Sequence, residues 1–133
     1  GENSAGTDPE EAAIFARDSG VDAMAISVGN VHLQQDKQGG LDMPRIRMIE
    51  AVTDVPLVIH GGSGVPVAQR RKLALESKVC KFNIGTELRM AFGAALRKAV
   101  NADADRFDRV SILKETHDPV MAAAMDVLRA FKA

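Results

Sequence analysis

The sequence has little cysteine, no excess of charge of either sign and no long apolar run. Its one cysteine, Cys80, excludes a disulfide within the chain. Seventeen basic side chains balance 18 acidic ones, and the net charge of −1 predicts no basic surface for nucleic acid or for an anionic membrane. An anionic ligand must therefore be held by local groups. No apolar segment approaches the ~20 residues that a membrane-spanning helix needs.

The sequence also lacks a secretory signal pattern at its start, and we therefore expect a cytoplasmic protein. Residues 1–11, GENSAGTDPEE, resemble a loop that runs into a helix more than a translation start, so we expect further chain before Gly1. What is present suits a folded domain. The 133 residues, 46% apolar and 26% charged, are enough to bury a core, and no low-complexity tract or domain linker interrupts them.

The clearest single element is a helix over residues 7–20. Thr7 and Glu10 have the spacing of a capping box, and Pro9 suits the first helical turn. Gly20 suits the C-terminal cap, because glycine adopts the left-handed conformation without steric cost. The sequence thus predicts both ends of this helix.

Strand-like and helical segments then alternate. Short apolar runs, of the kind found in strands covered on both faces, start near residues 22, 56 and 79. The helices that we predict after them cover residues 43–52, 67–77 and 86–100. Such alternation favours an α/β fold with a parallel sheet.

The end of the chain departs from this repeat. We predict a mostly irregular segment with a short helix over residues 101–116 and a terminal helix over residues 117–133. Three βα units bury too little surface on their own, because a parallel strand needs helices on both sides of its sheet or a closed barrel. The sheet is therefore either small and open or part of something larger.

Polar side chains follow each predicted strand at its carboxyl end, where α/β folds bind their ligands. His32 lies a few residues past the first strand, His60 ends the second, and Asn83 ends the third. Because His32 and His60 are 28 residues apart, one βα unit, we expect them on adjacent strand ends, about 5 Å apart. Two imidazoles at that separation suit one zinc ion, although a catalytic zinc generally takes three protein ligands.

The turn after the second strand favours an anion site. Gly61, Gly62 and Gly64 let the backbone approach a ligand with free N–H groups, and Ser63 adds a hydroxyl at the entry to the next helix. This pattern predicts a phosphate there.

The segment NIGTEL repeats the arrangement after the third strand. Asn83 and Thr86 offer side-chain donors, and the backbone amides of Ile84 and Gly85 are available. Two neighbouring helix N-termini that face one anion are a stronger signal than either alone.

Each feature also has a purely structural interpretation. A histidine at a strand end is more often a surface or capping residue, and a glycine-rich turn is usually only a turn. Asn83 is harder to dismiss, because asparagine is a poor strand former and alternation places it on the face of Lys81 and Gly85. We predict that Cys80 is a buried thiol and that His117 lies on the surface at a loop or helix start.

Three motifs together resemble the carboxyl-terminal half of the class II, metal-dependent ketose-bisphosphate aldolases. They are TDPEEAAIFARDSGVDAMAISVGNVH, LDMPRIRMIEAVTDVPLVIHGGSGVP and KFNIGTELRMAF, and the resemblance covers nearly all of residues 7–100. Members of that family are TIM (β/α)8 barrels, so the three units would be the sixth, seventh and eighth strands with their helices. Residues 1–6 would end a mobile loop, and residues 101–133 would form a C-terminal helical segment.

The resemblance also implies the roles of single residues. His32 and His60 would bind zinc, and Asn83 would donate a hydrogen bond to the enediolate of dihydroxyacetone phosphate. The cradle for the phosphate end of the substrate would consist of Gly61, Gly62, Ser63, Asn83, Ile84, Gly85 and Thr86. The third zinc histidine, its adjacent catalytic aspartate and the acid of the mobile loop would precede or adjoin Gly1. The family usually has glycine where Leu33 follows His32, which leaves open the contacts there to phosphate and to a monovalent cation.

The activity implied is zinc-dependent, reversible cleavage of a fructose- or tagatose-type ketose 1,6-bisphosphate to dihydroxyacetone phosphate and glyceraldehyde 3-phosphate. The implied partners are the N-terminal half of the same barrel and further copies in a dimer or tetramer, and we expect the 133 residues alone to be inactive. The alternative is a non-catalytic sugar-phosphate-binding or assembly half-barrel. A third possibility, a relative of indole-glycerol-phosphate synthase, explains the phosphate turns but gives no reason for the two histidines.

Overall fold

A computed structural model describes residues 6–29 and 40–131. In chain order the elements are α1 (Pro9–Ser19), β1 (Met24–Ile26), α2 (Met43–Val52), β2 (Leu57–Ile59), a 3₁₀ turn (Gly62–Gly64), α3 (Val67–Glu76), β3 (Val79–Phe82), α4 (Thr86–Ala102) and α5 (Arg109–Phe131). The chain forms two compact units, Gly1–Ile84 and Gly85–Ala133, and each is described by itself.

The first unit contains a parallel sheet with the strand order β1-β2-β3. Each strand lies beside the strand that precedes it in sequence, and a helix connects each pair. This is the arrangement of an arc of an α/β barrel, whereas a doubly wound sheet reverses its strand order. The alternation predicted from the sequence is therefore confirmed, with strands of three or four residues that are shorter than the apolar runs.

The pairing of β2 with β3 contains a β-bulge. Leu57 pairs with Val79, but the next residue of β2, Val58, pairs with Lys81. Cys80 is thus the extra residue of β3, and its side chain is exposed, with Sγ 3.5 Å from the Leu57 carbonyl oxygen. The prediction of a buried thiol is wrong because a bulge residue leaves the regular alternation of faces.

The core of the first unit lies between the sheet and its helices. Its fully buried side chains include Leu57 and Ile59 of β2, Ile46 and Ile49 of α2, and Leu73 of α3. Removing such a side chain from water contributes about 1.5–3 kcal/mol relative to leaving it exposed. Packing on the middle strand therefore fixes where β2 ends, and with it the position of the residue that follows.

Helix α1 is capped differently from the sequence prediction. Asp8, not Thr7, is the N-cap, and its carboxylate accepts hydrogen bonds from the amides of Glu10 and Glu11 at 2.9 and 3.1 Å. The Thr7 hydroxyl instead accepts from the Ser27 amide at 2.8 Å, just beyond β1. A tertiary contact thus takes the predicted capping residue. Gly20 is the C-terminal cap in the left-handed conformation, as predicted, with φ of 63°.

The second unit is a pair of long helices, α4 and α5, in which Ala99 and Thr116 are buried. The predicted irregular segment over residues 101–116 is wrong, because only residues 103–108 lie outside these helices. Asp108 caps α5 by accepting from the Ser111 amide at 2.9 Å, and this bond lowers the pKa of its carboxyl. The sequence Asp-Pro at 118 and 119 had suggested a helix start, but Pro119 lies inside α5.

Two further observations concern the surface. His117 is exposed, as predicted, but it lies within α5 and its Nδ1 is 2.9 Å from Asp118 Oδ1. No helix in the described part of the chain is both long enough and apolar enough to cross a membrane.

Candidate functional site at the carboxyl ends of two strands

The end of β2 and the end of β3 bring a histidine and an asparagine together. His60 follows Ile59, the last residue of β2, and Asn83 follows Phe82, the last residue of β3. Asn83 Nδ2 lies 3.0 Å from His60 Nδ1, and both side chains are half-buried. Two of the residues predicted to form one site thus contact each other directly.

Backbone hydrogen bonds hold this pair in register. The Asn83 amide donates to the Ile59 carbonyl at 2.9 Å, and the Gly62 amide donates to the Asn83 carbonyl at 3.0 Å. Both polar groups of the Asn83 backbone are therefore bound to the β2 side of the site. The backbone pairing of parallel strands thus continues past the ends of β2 and β3. The contact with His60 is made by the Asn83 side chain.

Two glycines of the turn are required by its backbone. Gly61 has φ of 63°, in the left-handed region that side chains with a Cβ rarely adopt. Gly62 has no room for a side chain, because a Cβ there would lie 2.9 Å from Ile84 Cδ1 and 3.2 Å from the Asn83 carbonyl oxygen. The turn is thus pressed against the end of β3.

The turn uses two of the amides that the sequence suggested for a ligand. The Gly62 amide binds Asn83, and the Gly64 amide donates to the Gly61 carbonyl at 3.1 Å. The expectation that the glycine amides are all free is therefore wrong for these two residues, since the contact with the end of β3 uses the Gly62 amide and closure of the 3₁₀ turn uses the Gly64 amide. Ser63 lies between them and is buried, with 5% of its surface exposed.

The other predicted site residues follow Asn83 in the sequence. Ile84 is half-buried and its Cδ1 faces Gly62. Gly85 and Thr86 belong to the second unit, where Thr86 opens α4 and the Gly85 carbonyl accepts from the Arg89 amide at 3.0 Å. Their assignment to the phosphate site stays a prediction.

His32 and Leu33 lie outside the described residues, as does the segment before Gly6. Among residues 6–29 and 40–131, no group of three or more histidine, cysteine, aspartate or glutamate side chains could hold a metal ion. At the ends of β2 and β3, the described part contains one imidazole, that of His60. Imidazole nitrogen is a preferred ligand of zinc, so this donor fits part of a zinc site whose other ligands lie elsewhere.

Two hydrogen bonds between Gln69 and Leu41, called here the Gln69 clamp, were not predicted from the sequence. Gln69, on α3, accepts from the Leu41 amide at 2.9 Å and donates to the Leu41 carbonyl at 3.3 Å. A glutamine on an amphipathic helix has no local signal for this role, because such residues usually face solvent. The clamp thus joins Leu41, just before α2, to α3, the helix that follows the glycine turn.

A second unpredicted contact links the start of α1 to α2. Arg45 donates to the Thr7 carbonyl at 3.1 Å and to the Asp42 carboxylate at 3.2 Å. The Arg45 amide also donates to Asp42, and this bond is the main reason that the pKa of the Asp42 carboxyl lies below its usual value. Asp42 is therefore a charged helix cap, and its role here is structural.

The family of this chain follows from its fold and from comparison with known proteins. Three parallel strands in chain order, with polar groups at their carboxyl ends, place the chain in the class of α/β barrels. A family model described as class-II fructose-bisphosphate aldolase matches residues 1–133. The chain belongs to the class II fructose-bisphosphate aldolase family.

Two solved structures agree with this assignment. The chain is 30% identical to the YdjI aldolase from Escherichia coli K12, with a TM-score of 0.72 over 94% of this chain and 44% of that one. It is 21% identical to a fructose-bisphosphate aldolase from Campylobacter jejuni, with a TM-score of 0.74 over 95% and 44%, a likeness that shows the fold alone. The chain thus spans about 44% of the length of these relatives. The resemblance and the partial TIM barrel predicted from the sequence are confirmed.

Proposed function

We propose that this chain supplies the metal and phosphate side of a zinc-dependent ketose-bisphosphate aldolase site. The reaction is the reversible cleavage of a fructose- or tagatose-type ketose 1,6-bisphosphate to dihydroxyacetone phosphate and glyceraldehyde 3-phosphate. The observation that supports this proposal best is the contact between His60 and Asn83 at adjacent strand ends, 3.0 Å apart, in a member of an aldolase family.

In this proposal His60 and His32 are two of the zinc ligands, and a third histidine comes from the N-terminal half of the barrel. When bound, zinc supplies a Lewis acid that polarises the ketone carbonyl of the substrate. A half-buried imidazole fixed at a strand end is suited to this role, because its ring is held before the ion arrives.

The phosphate end of the substrate is bound by the turn after β2 and by the residues after β3. Gly61, Gly62 and Ser63 of this turn are the proposed phosphate-binding residues on the β2 side, and the close approach of Gly62 to Ile84 holds the turn at the end of β3. The family resemblance also assigns Gly85 and Thr86, at the start of α4, to phosphate binding. A helix N-terminus favours an anion there.

Asn83 acts on the charge that develops during the reaction. As the carbon–carbon bond breaks, a base takes the proton of the substrate hydroxyl that becomes the aldehyde carbonyl, and the electron pair of the bond passes to the dihydroxyacetone phosphate half as an enediolate. Protonation of the enediolate at carbon then gives dihydroxyacetone phosphate. The Asn83 carboxamide donates a hydrogen bond to the enediolate oxygen, a charge present only along the reaction path. The groups that carry the protons belong, in this proposal, to the N-terminal half of the barrel, so residues 1–133 alone are expected to be inactive.

The experiment combines metal analysis with an aldol-cleavage assay of the complete protein on fructose 1,6-bisphosphate and tagatose 1,6-bisphosphate. We expect about one zinc per subunit, cleavage of one of the two substrates, and loss of cleavage after chelation that returns with zinc. Cleavage that survives complete removal of metal would refute the proposal. Binding of dihydroxyacetone phosphate without any cleavage would favour a non-catalytic sugar-phosphate-binding barrel instead.

A further inference from the structure

The contact between Asn83 and His60 defines which ring nitrogen of His60 carries the lone pair. The Nδ2 group of a carboxamide has two N–H donors and no acceptor. At 3.0 Å from Asn83 Nδ2, the Nδ1 atom of His60 must therefore accept, and the neutral ring carries its proton on Nε2. In this geometry Nδ1 is the nitrogen that can bind a cation, and Asn83 already occupies it.

A neutral imidazole has one lone-pair nitrogen, and that lone pair serves one partner at a time. The hydrogen bond from Asn83 and a bond from His60 Nδ1 to a metal ion are therefore mutually exclusive. Resting on the proposed function, we infer that Asn83 holds the place of the metal on His60 Nδ1 and is released as a donor when the metal binds.

The backbone of Asn83 determines what release means. Its amide is bound to Ile59 and its carbonyl to Gly62, so the main chain stays where it is and only the side chain turns away from the ring. A freed N–H group then lies within a side-chain rotation of the metal ligand, which is where a substrate oxygen would be polarised. Asn83 is thus a positioning residue for His60 in the metal-free protein, and the N–H group that it releases becomes an oxyanion donor in the metal-loaded protein.

This order of events couples the two parts of the site. Without metal, one of the two N–H groups of Asn83 is bound to His60 and is not offered to an anion. Metal binding removes that competitor and frees this N–H group, so the affinity of the site for the enediolate oxygen rises when the metal is in place. Because metal binding must break the hydrogen bond between Asn83 and His60, the net affinity of the protein for the metal is weaker than it would be without that bond.

The first test reads the tautomer of His60 in the metal-free complete protein by long-range 1H–15N correlation. We expect the Nε2–H tautomer in the wild type. In Asn83→Asp a carboxylate replaces the donor, so we expect the ring to switch to the Nδ1–H tautomer. Asn101→Ala, which removes an exposed asparagine at the end of α4, is the matched control and should leave the tautomer unchanged. An Nδ1–H tautomer in the wild type would overturn the inference.

The second test loads the same protein with 113Cd and measures its one-bond coupling to 15N of His60. We expect coupling to Nδ1, and coupling to Nε2 would overturn the inference. Asn83→Ala should strengthen zinc binding about fivefold, because one competing neutral hydrogen bond is lost. If Asn83 instead supported a metal bound at Nε2, its removal would weaken zinc binding by about 10–100-fold.

The outcomes separate this inference from the proposed function. A protein that binds neither zinc nor cadmium refutes both. A protein that binds metal and cleaves substrate, but shows coupling at Nε2 or weaker zinc binding in Asn83→Ala, retains the proposed function and loses the inference.

Discussion

The amino ends and the carboxyl ends of the strands in the first unit, called here the amino edge and the carboxyl edge of the sheet, are stabilised by different kinds of contact. At the amino end of β3, charged side chains bind carbonyl groups and one another. Lys78 Nζ lies 2.8 Å from the Glu50 carbonyl, 2.8 Å from the Thr53 carbonyl and 2.8 Å from Asp54 Oδ1, and its amide donates to Glu50 Oε1 at 2.7 Å. This edge links the start of β3 to the end of α2.

At the carboxyl end, the backbone makes most of the stabilising bonds. The amides of Gly62 and Asn83 bind carbonyls of the neighbouring segments, and the side chains of His60 and Asn83 contact each other. The difference shows that the two edges of one small sheet are stabilised by different groups, side chains at the amino edge and the backbone at the carboxyl edge. Side chains maintain the fold at one edge, and backbone bonds free side chains for ligands at the other, as in α/β barrels generally.

The largest expected effect is on metal affinity at the carboxyl edge. His60→Ala removes a proposed ligand and should weaken zinc binding by more than about 100-fold, the upper effect of losing an outer-shell partner. His117→Ala is the matched control, because His117 is exposed on α5 and should leave zinc binding unchanged. Competition with a chromophoric chelator measures both variants. Equal zinc affinity in the two would contradict the assignment of His60.

The next effect tests the packing of the glycine turn. In Gly62→Ala the new methyl group would lie 2.9 Å from Ile84 Cδ1, and the required shift should lower the free energy of unfolding by about 2 kcal/mol. Gly40→Ala adds a methyl group where no atom lies within 4 Å and should change stability by less than about 0.5 kcal/mol. Urea unfolding compares the two. A neutral Gly62→Ala would mean that the turn is not pressed on β3.

The amino edge is tested by Lys78→Met. Loss of three hydrogen bonds should destabilise the protein by about 1–2 kcal/mol, a figure kept low because 38% of the Lys78 side chain is exposed to solvent. The His60 tautomer and the zinc affinity should not change. Lys72→Met, at an exposed position of α3, controls for the loss of charge. Reduced zinc affinity in Lys78→Met alone would show that the two edges are coupled.

The smallest effect concerns pH. The hydrogen bond from Lys78 lowers the pKa of the Asp54 carboxyl in the folded protein, so the bond's contribution is present above the ordinary pKa of 3.8 and is lost as the pH falls through the lowered value. Asp54→Asn should therefore make stability fall less steeply between neutral pH and pH values below about 4. Urea unfolding at a series of pH values measures the slope, with Asp22→Asn as the control for net charge. An unchanged slope would show that Asp54 does not contribute.

The sequence predicts the parts of this fold that depend on local chemistry. Helix α2 has the predicted bounds, Met43–Val52, and Gly20 caps α1 as expected, because proline fixes φ in a first helical turn and glycine adopts the left-handed cap without steric cost. The predicted start of the terminal helix at residue 117 is wrong, because α5 begins after Asp108 although another aspartate stands at position 118. Local patterns do not record which aspartate caps the helix.

For the candidate site, the sequence predicted which strand ends lie side by side but not the contacts between segments that are distant in sequence. The carboxyl-end rule indicated His60 and Asn83 as neighbours, since it depends only on the order of strands. It did not predict that the Gly62 amide binds Asn83, or that Gln69 clamps Leu41, because both contacts join segments that are distant in sequence. His32 lies outside the described residues, so its role as a ligand stays a prediction.

The bulge at Cys80 has a practical consequence for protein engineering. Val79 and Phe82 both pack on the core of the first unit although they are three residues apart, which a strictly alternating strand does not allow. Deleting Cys80 would restore alternation and leave Phe82 opposite Ile59, so Asn83 would still follow at the level of His60. The same deletion removes the chain's one thiol. A cysteine-free background for attaching probes at chosen positions is therefore compatible with an intact pair of strand ends.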